Sequence, residues 1–248
     1  MGSSIDVDVV SEIRNRVTEK DLETNSTLHS VHQLRTPLEE LYNDRHNINS
    51  IVDIGCGYGG FASALGELTG ASNVYGIDTN DEKRSVATER GLKTYDIDVE
   101  SEPLPFDSDS VDLVICFGLI EHIQYYDHLF EDVKRVVRDN GWFWLATPNL
   151  GGWTNRLALL FGYQPRNIEI SAQEAFGILP MYEYTEFLGH VHAPTYRALR
   201  ELLDYYSLPI TTVTPLAPYQ QSNIVRILDA TVGRLPHFSR RIAALCRV

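Results

Sequence analysis

Val52-Asp53-Ile54-Gly55-Cys56-Gly57-Tyr58-Gly59-Gly60 decides how this 248-residue chain is read. A short apolar run reaches Asp53 and gives way to four glycines, and a helical pattern begins behind them. A strand that turns through such a loop into a helix brings bare backbone up to a ligand at the helix N-terminus, where N–H groups point outward and a Cβ would collide. The spacing Gly55-x-Gly57-x-x-Gly60 also satisfies the dinucleotide fingerprint, and Asp78, at the end of the next apolar run, can hold a ribose in more than one kind of cofactor. The glycines place a ligand and leave its identity open.

Outward from the loop, short apolar runs alternate with helical patterns, the signature of βαβ units and a mostly parallel sheet. Strands are predicted at residues 50–54, 73–78, 93–97, 111–117 and 142–147. Helices are predicted at 59–68, 81–90 and 127–138, the last closed by Asn140-Gly141 as a C-cap. Residues 1–49 read as a helical lead-in, in which Pro37 opens a short helix that ends near Asn43. Residues 50–248 form the main domain. Within it, 149–193 is an insertion after strand five, rich in aromatics and glycines and without a clear period, of the kind that forms a lid or a substrate wall. Regular structure resumes with a helix from Pro194 through Tyr206, a β-rich run over 209–214 and a helical stretch at 223–232. The last apolar run, Ile242 to Cys246, reads as a helix end or a final strand.

A net charge of −13 disfavours binding to a phosphate backbone, so nucleic acid is not expected as a partner. Cys56, Cys116 and Cys246 are widely spaced and form neither a disulfide framework nor a metal-ligand pattern. No apolar run approaches the ~18 residues of a membrane span, and the N-terminus lacks a secretory pattern. A cytoplasmic protein without stable membrane insertion is expected, its oligomeric state open.

Three features bear on the ligand. Asp53 stands two residues before the first glycine, where a dinucleotide loop has an apolar residue, and a carboxylate there can receive the ammonium of a methionine moiety. Asp98 follows the third strand, where it can accept from an adenine amino group. Pro103-Leu104-Pro105-Phe106-Asp107 leads into Val111-Asp112-Leu113-Val114-Ile115-Cys116 and then Glu121-His122. Together these resemble the class I S-adenosylmethionine-dependent methyltransferases, in the type 11 and ubiquinone-methyltransferase-like group, over roughly residues 50–148. The resemblance implies a Rossmann-like, doubly wound, mostly parallel sheet of seven strands, closed by an antiparallel strand from the C-terminus. It implies S-adenosyl-L-methionine as cofactor. Asp53, Gly55, Cys56 and Gly57 would line its methionine end, Asp78 and Thr79 its ribose, and Asp98 and Val99 its adenine, with Phe117 starting the loop beneath it.

Methyl transfer requires alignment and, for a hydroxyl nucleophile, a base. His122 lies just beyond strand four, and His190 and His192 end the insertion; one of these could be a base near neutral pH. A metal reading of these histidines needs a third ligand that the sequence does not nominate, so no metal is expected. Trp153, Tyr163, Tyr182, Tyr184 and Phe187 offer flat faces to a sugar or isoprenoid, or form the insertion's own small core, and Arg156 and Arg166 could pair with a carboxylate or phosphate. The expected partner is a small or carrier-linked acceptor. A sugar leads, such as the uronic acid of a cell-surface glycan precursor, and a quinone or other lipid follows. An NAD-dependent oxidoreductase and a non-catalytic cofactor-binding module remain as alternatives.

Overall fold

The structure, a computed structural model, describes residues 8–25, 27–181, 187–217 and 223–248. The lead-in forms α1 (Val9–Arg16), α2 (Glu19–Thr24) and α3 (Arg35–Asn43). The alternating part follows as β1 (Ser50–Ile54), α4 (Gly60–Thr69), β2 (Asn73–Ile77), α5 (Asp81–Glu89), β3 (Lys93–Tyr95), β4 (Val111–Phe117), α6 (Asp127–Val136) and β5 (Val137–Pro148). After it come α7 (Trp153–Leu160), α8 (Tyr196–Tyr205), β6 (Ile210–Leu216), α9 (Asn223–Ala230) and β7 (Arg241–Arg247). One seven-stranded sheet runs β3-β2-β1-β4-β5-β7-β6. β1 to β5 pair in parallel, and β7 lies antiparallel between β5 and β6. The last apolar run is therefore the final strand.

The central strands are apolar on both faces because successive side chains point to opposite sides and both sides are covered. In β4, Val114 and Cys116 pack with Phe130 and Val133 of α6 and Leu199 and Leu203 of α8. Leu113 and Ile115, one residue out of phase, pack with Val9 and Ile13 of α1, Leu38 and Leu41 of α3, and Phe61 and Leu65 of α4. The lead-in thus helps to cover one face of the sheet.

Several boundaries depart from the sequence reading. The third strand stops at Tyr95, two residues early. Helix α6 stops at Val136, because Val137 already has extended backbone and enters β5. Asn140, in left-handed backbone at φ 60°, then turns within β5 instead of capping a helix, and beside it the β4–β5 register jumps from Val111↔Val137 to Leu113↔Trp142. Helix α8 starts at Tyr196, capped by the Thr195 hydroxyl, which accepts from the Ala198 N–H at 3.2 Å. In the insertion, where no period was visible, residues 153–160 are helical. Among the described residues, no helix is long and apolar enough to cross a membrane.

In the strand order, β1 and β4 are neighbours although their connections leave in opposite directions. Open α/β sheets bind ligands outside the carboxyl ends of the strands at such a switch point.

Candidate functional site

A cleft of about 1120 Å³ opens at that switch point. Asp53, Gly55, Gly57, Asp78, Thr79 and Asp98 line it where β1, β2 and β3 end. Cys56, Val99 and Phe117 also line it. Toward β4, β5 and β7 the lining changes to Glu121, His122, His190 and Arg241, with Phe187 and Leu188 from the insertion.

The loop geometry follows from its glycines. Gly55 has φ 75°, a conformation that a side chain resists, and a Cβ there would press on Leu119 at 3.3 Å. The loop is pinned by the Gly55 and Cys56 N–H groups, which both donate to the Ile77 carbonyl, at 2.8 and 3.0 Å. Asp78 accepts from the Gly57 N–H and from the Asn80 N–H, both at 2.9 Å. Asn80, not Asp78, caps α5 by accepting from the Lys83 N–H. Gly60 serves packing: a Cβ would strike the Asp21 carboxylate, which accepts from the Gly60 N–H at 3.1 Å.

Asp53 is 5% exposed, and no described residue donates a hydrogen bond to its carboxyl group. Burial, and then the charge of Asp78, push its carboxyl up to about 8. The Cys56 thiol is also raised, first by burial and then by Asp53 and Asp78, so no thiolate forms there. Asp98 is exposed and accepts from the Glu100 N–H and the Ser101 hydroxyl, at 3.1 and 2.9 Å, within its own turn. Val99 is buried. Phe117 is buried against Phe61 and Trp144, with ring centroids 5.2 and 4.9 Å away.

On the opposite side, the His122 and His190 rings lie 5.1 Å apart. His190 is 7% exposed, and burial, with His122 and Arg241 beside it, lowers its titration to about 4. That is well below the range in which one of the three histidines could serve as a base near neutral pH. His192 does not line the cleft; its ring packs on Tyr126 at 5.1 Å. Arg166 lines the cleft and pairs with Glu169 at 2.8 Å. Arg156 lies outside, over the Phe238 ring. Trp153 is buried and donates to Asp229 at 2.8 Å, so it presents no free face, and Tyr163 stays outside the cleft. Tyr182 and Tyr184 lie outside the described residues.

Asp21 had no signal in the sequence, and Glu121 was marked there only as the neighbour of His122. Asp21 of α2 reaches the cleft and pairs with Arg90 at 2.6 Å. Glu121 is 1% exposed, accepts from the Thr147 hydroxyl at 3.2 Å and lies 3.4 Å from Arg241. Segments far apart in the chain make these contacts, and no local spacing announces them.

Residues 52–145 match a family described as "Methyltransferase domain". The chain is 28% identical to "Probable phthiotriol/phenolphthiotriol dimycocerosates methyltransferase 2" of Mycobacterium ulcerans, over 52% of each chain. It is 30% identical to a ubiquinone biosynthesis O-methyltransferase of Paracidovorax citrulli, over 56% of each chain. It thus spans about half the length of these curated relatives. A solved structure of an S-adenosylmethionine-dependent methyltransferase from Mesorhizobium loti superposes with a TM-score of 0.58 at 17% identity, covering 92% of this chain and 100% of that one.

Proposed function

We propose, for a chain that belongs to the class I S-adenosylmethionine-dependent methyltransferases through its residues 52–145, methyl transfer to an oxygen of an acceptor with a large apolar part. The observation that carries this reading is one cleft with two unlike sides, a carboxylate and glycine cradle and an acceptor side whose wall includes Phe187 and Leu188, which belong to a larger set of exposed apolar side chains, the apolar collar. Fifteen of the seventeen large apolar side chains exposed among the described residues lie within 157–191 and 224–235, Tyr125 and Tyr205 being the others. Phe187 and Leu188 of that set stand in the cleft wall. Such a concentration in two stretches of the chain favours an apolar partner over ordinary scatter. The names of the relatives, a dimycocerosate and a ubiquinone methyltransferase, favour the same acceptor class.

The cradle suits the cofactor. A buried carboxylate without a donor is stabilised by a cation, and Asp53 would receive the ammonium of the methionine moiety. Asp78 would exchange its loop hydrogen bonds for the ribose hydroxyls, with Thr79 beside it. Gly55, Cys56 and Gly57 would let the backbone approach, Asp98 and Val99 would border the adenine, and Phe117 would form an apolar floor. When bound, S-adenosylmethionine supplies an electrophilic methyl on a sulfonium sulfur. For such a displacement the chain has mainly to align the nucleophile and exclude water. His122 and His190 would face the acceptor from the other side of the cleft.

A second reading, a sugar acceptor such as a uronic acid of a cell-surface glycan precursor, draws support from Arg241, buried in the same cleft with its Nε lacking a partner. A cytoplasmic location is part of the proposal, in keeping with three free cysteines. The test is transfer of labelled methyl from the cofactor to a cell extract. Label in the organic phase is the expected result. Label confined to water-soluble sugars would replace the first acceptor by the second, and cofactor binding with label in neither phase would overturn catalysis.

A further inference from the structure

We propose that Glu121, His122 and His190 form a binding site for one first-row divalent cation on the acceptor side of the cleft. Each offers a ligand atom, and these atoms lie within 4.8 Å of one another. Glu121 and His122 sit in the 3-10 turn Ile120–His122 that follows β4, and His190 comes back from the insertion nearly seventy residues later.

The two segments are stitched together by the backbone. The Val191 N–H donates to the Glu121 carbonyl at 2.9 Å, and His122 Nδ1 lies 3.0 Å from the Gly189 carbonyl. A carbonyl can only accept, so Nδ1 carries the proton and the lone pair of His122 is on Nε2. An imidazole oriented in this way by a backbone carbonyl is the usual outer support of a metal-ligating histidine. Glu169 fixes the other side, accepting from the His190 N–H at 2.9 Å and the Leu188 N–H at 2.9 Å.

An independent observation points to a ligand. His190 is more than nine-tenths buried and lines the cleft, yet its Nδ1 is enclosed without a hydrogen-bond partner. A buried polar ring left unsatisfied is costly, and a bound ion is one of its explanations. Two imidazoles and a carboxylate suit zinc, manganese, iron or cobalt better than calcium or magnesium, and three protein ligands leave positions open to the cleft. Arg241 touches only one Glu121 oxygen, at 3.4 Å, and the carboxylate has further lone pairs for a cation. If the methyltransferase reading holds, an acceptor hydroxyl would take an open position and lose its proton to solvent more readily than when free; the site itself does not depend on that reading.

The experiment is a cobalt(II) titration of the metal-free, untagged full chain, followed by visible absorption, with S-adenosylhomocysteine binding measured alongside on the same metal-free protein. One equivalent of bound cobalt is expected. His122→Gln, an exposed change that leaves the core alone, and His190→Ala should each weaken binding at least about tenfold. Thermal unfolding without metal checks that both variants fold. Absence of binding by the wild type, or unchanged affinity in His122→Gln, would overturn the proposal. S-adenosylhomocysteine binding without cobalt binding would leave the methyltransferase reading standing, which separates the two failures.

Discussion

The Asp53 carboxylate titrates near 8 in the folded chain, because burial and the charge of Asp78 penalise its ionised form. In the unfolded chain it titrates near 4. Between those values the folded state holds the extra proton, so the stabilisation is complete below about pH 4 and is lost as pH rises to about 8. Asp53→Asn removes the penalty, and at pH 8 it should unfold later than wild type by on the order of 2–5 kcal/mol, the difference closing toward pH 4. Thermal scans across that range read this directly, and a variant less stable at pH 8 would refute the assignment. Asp78→Ala should leave the circular dichroism unchanged while weakening S-adenosylhomocysteine about 100-fold, by loss of two charge-assisted hydrogen bonds to the ribose. Equal affinity would show that Asp78 does not hold the ribose. Asp53, Gly55 and Asp78 were legible because a strand, its loop and the next strand end are local pattern. His190 gave no such signal: its depth and its nearness to His122 arise from an insertion folding back over β4.

At the scale of elements, α2 clamps the start of α4. The Asp21 carboxylate takes the Gly60 N–H and the Arg90 guanidinium, and a Cβ at residue 60 would strike it. Gly60→Ala should therefore cost about 1–3 kcal/mol in urea unfolding, the range for overpacking a filled site. An unchanged midpoint would show that the clamp is loose. The lead-in was legible as helical but not as part of the core, since patchy apolar residues do not say which face of a distant sheet they cover. Asn140-Gly141 misled for a related reason. Asparagine before glycine tolerates left-handed backbone equally at a helix end and in a turn within a strand, and the register shift in the β4–β5 pairing decided between them. Helix α7 was missed because Trp153, Thr154, Asn155 and Ala158 are buried while Leu157, Leu159 and Leu160 are exposed, the reverse of the pattern that announces a helix.

For the molecule as a whole, the strand order places the cleft, and the parallel βαβ alternation that produces this order is readable from residue 50 to 148. The apolar collar is not readable in that way, because exposure is a property of the assembled surface. Leu160→Ser with Phe161→Ser alters two side chains that are about seven-tenths exposed, so stability should stay within ~0.5 kcal/mol. If the collar receives the acceptor, the KM for an organic-soluble acceptor should rise several-fold in that double variant while S-adenosylhomocysteine affinity is unchanged. An unaltered KM would detach the collar from catalysis. The central claim is that Asp53, the glycine loop and Asp78 form a cradle for S-adenosylmethionine, and calorimetric titration of the wild-type chain with S-adenosylhomocysteine and with NADH tests it most directly. One equivalent of S-adenosylhomocysteine is expected to bind and NADH to give no saturable heat; saturable NADH binding with no S-adenosylhomocysteine binding would contradict the claim.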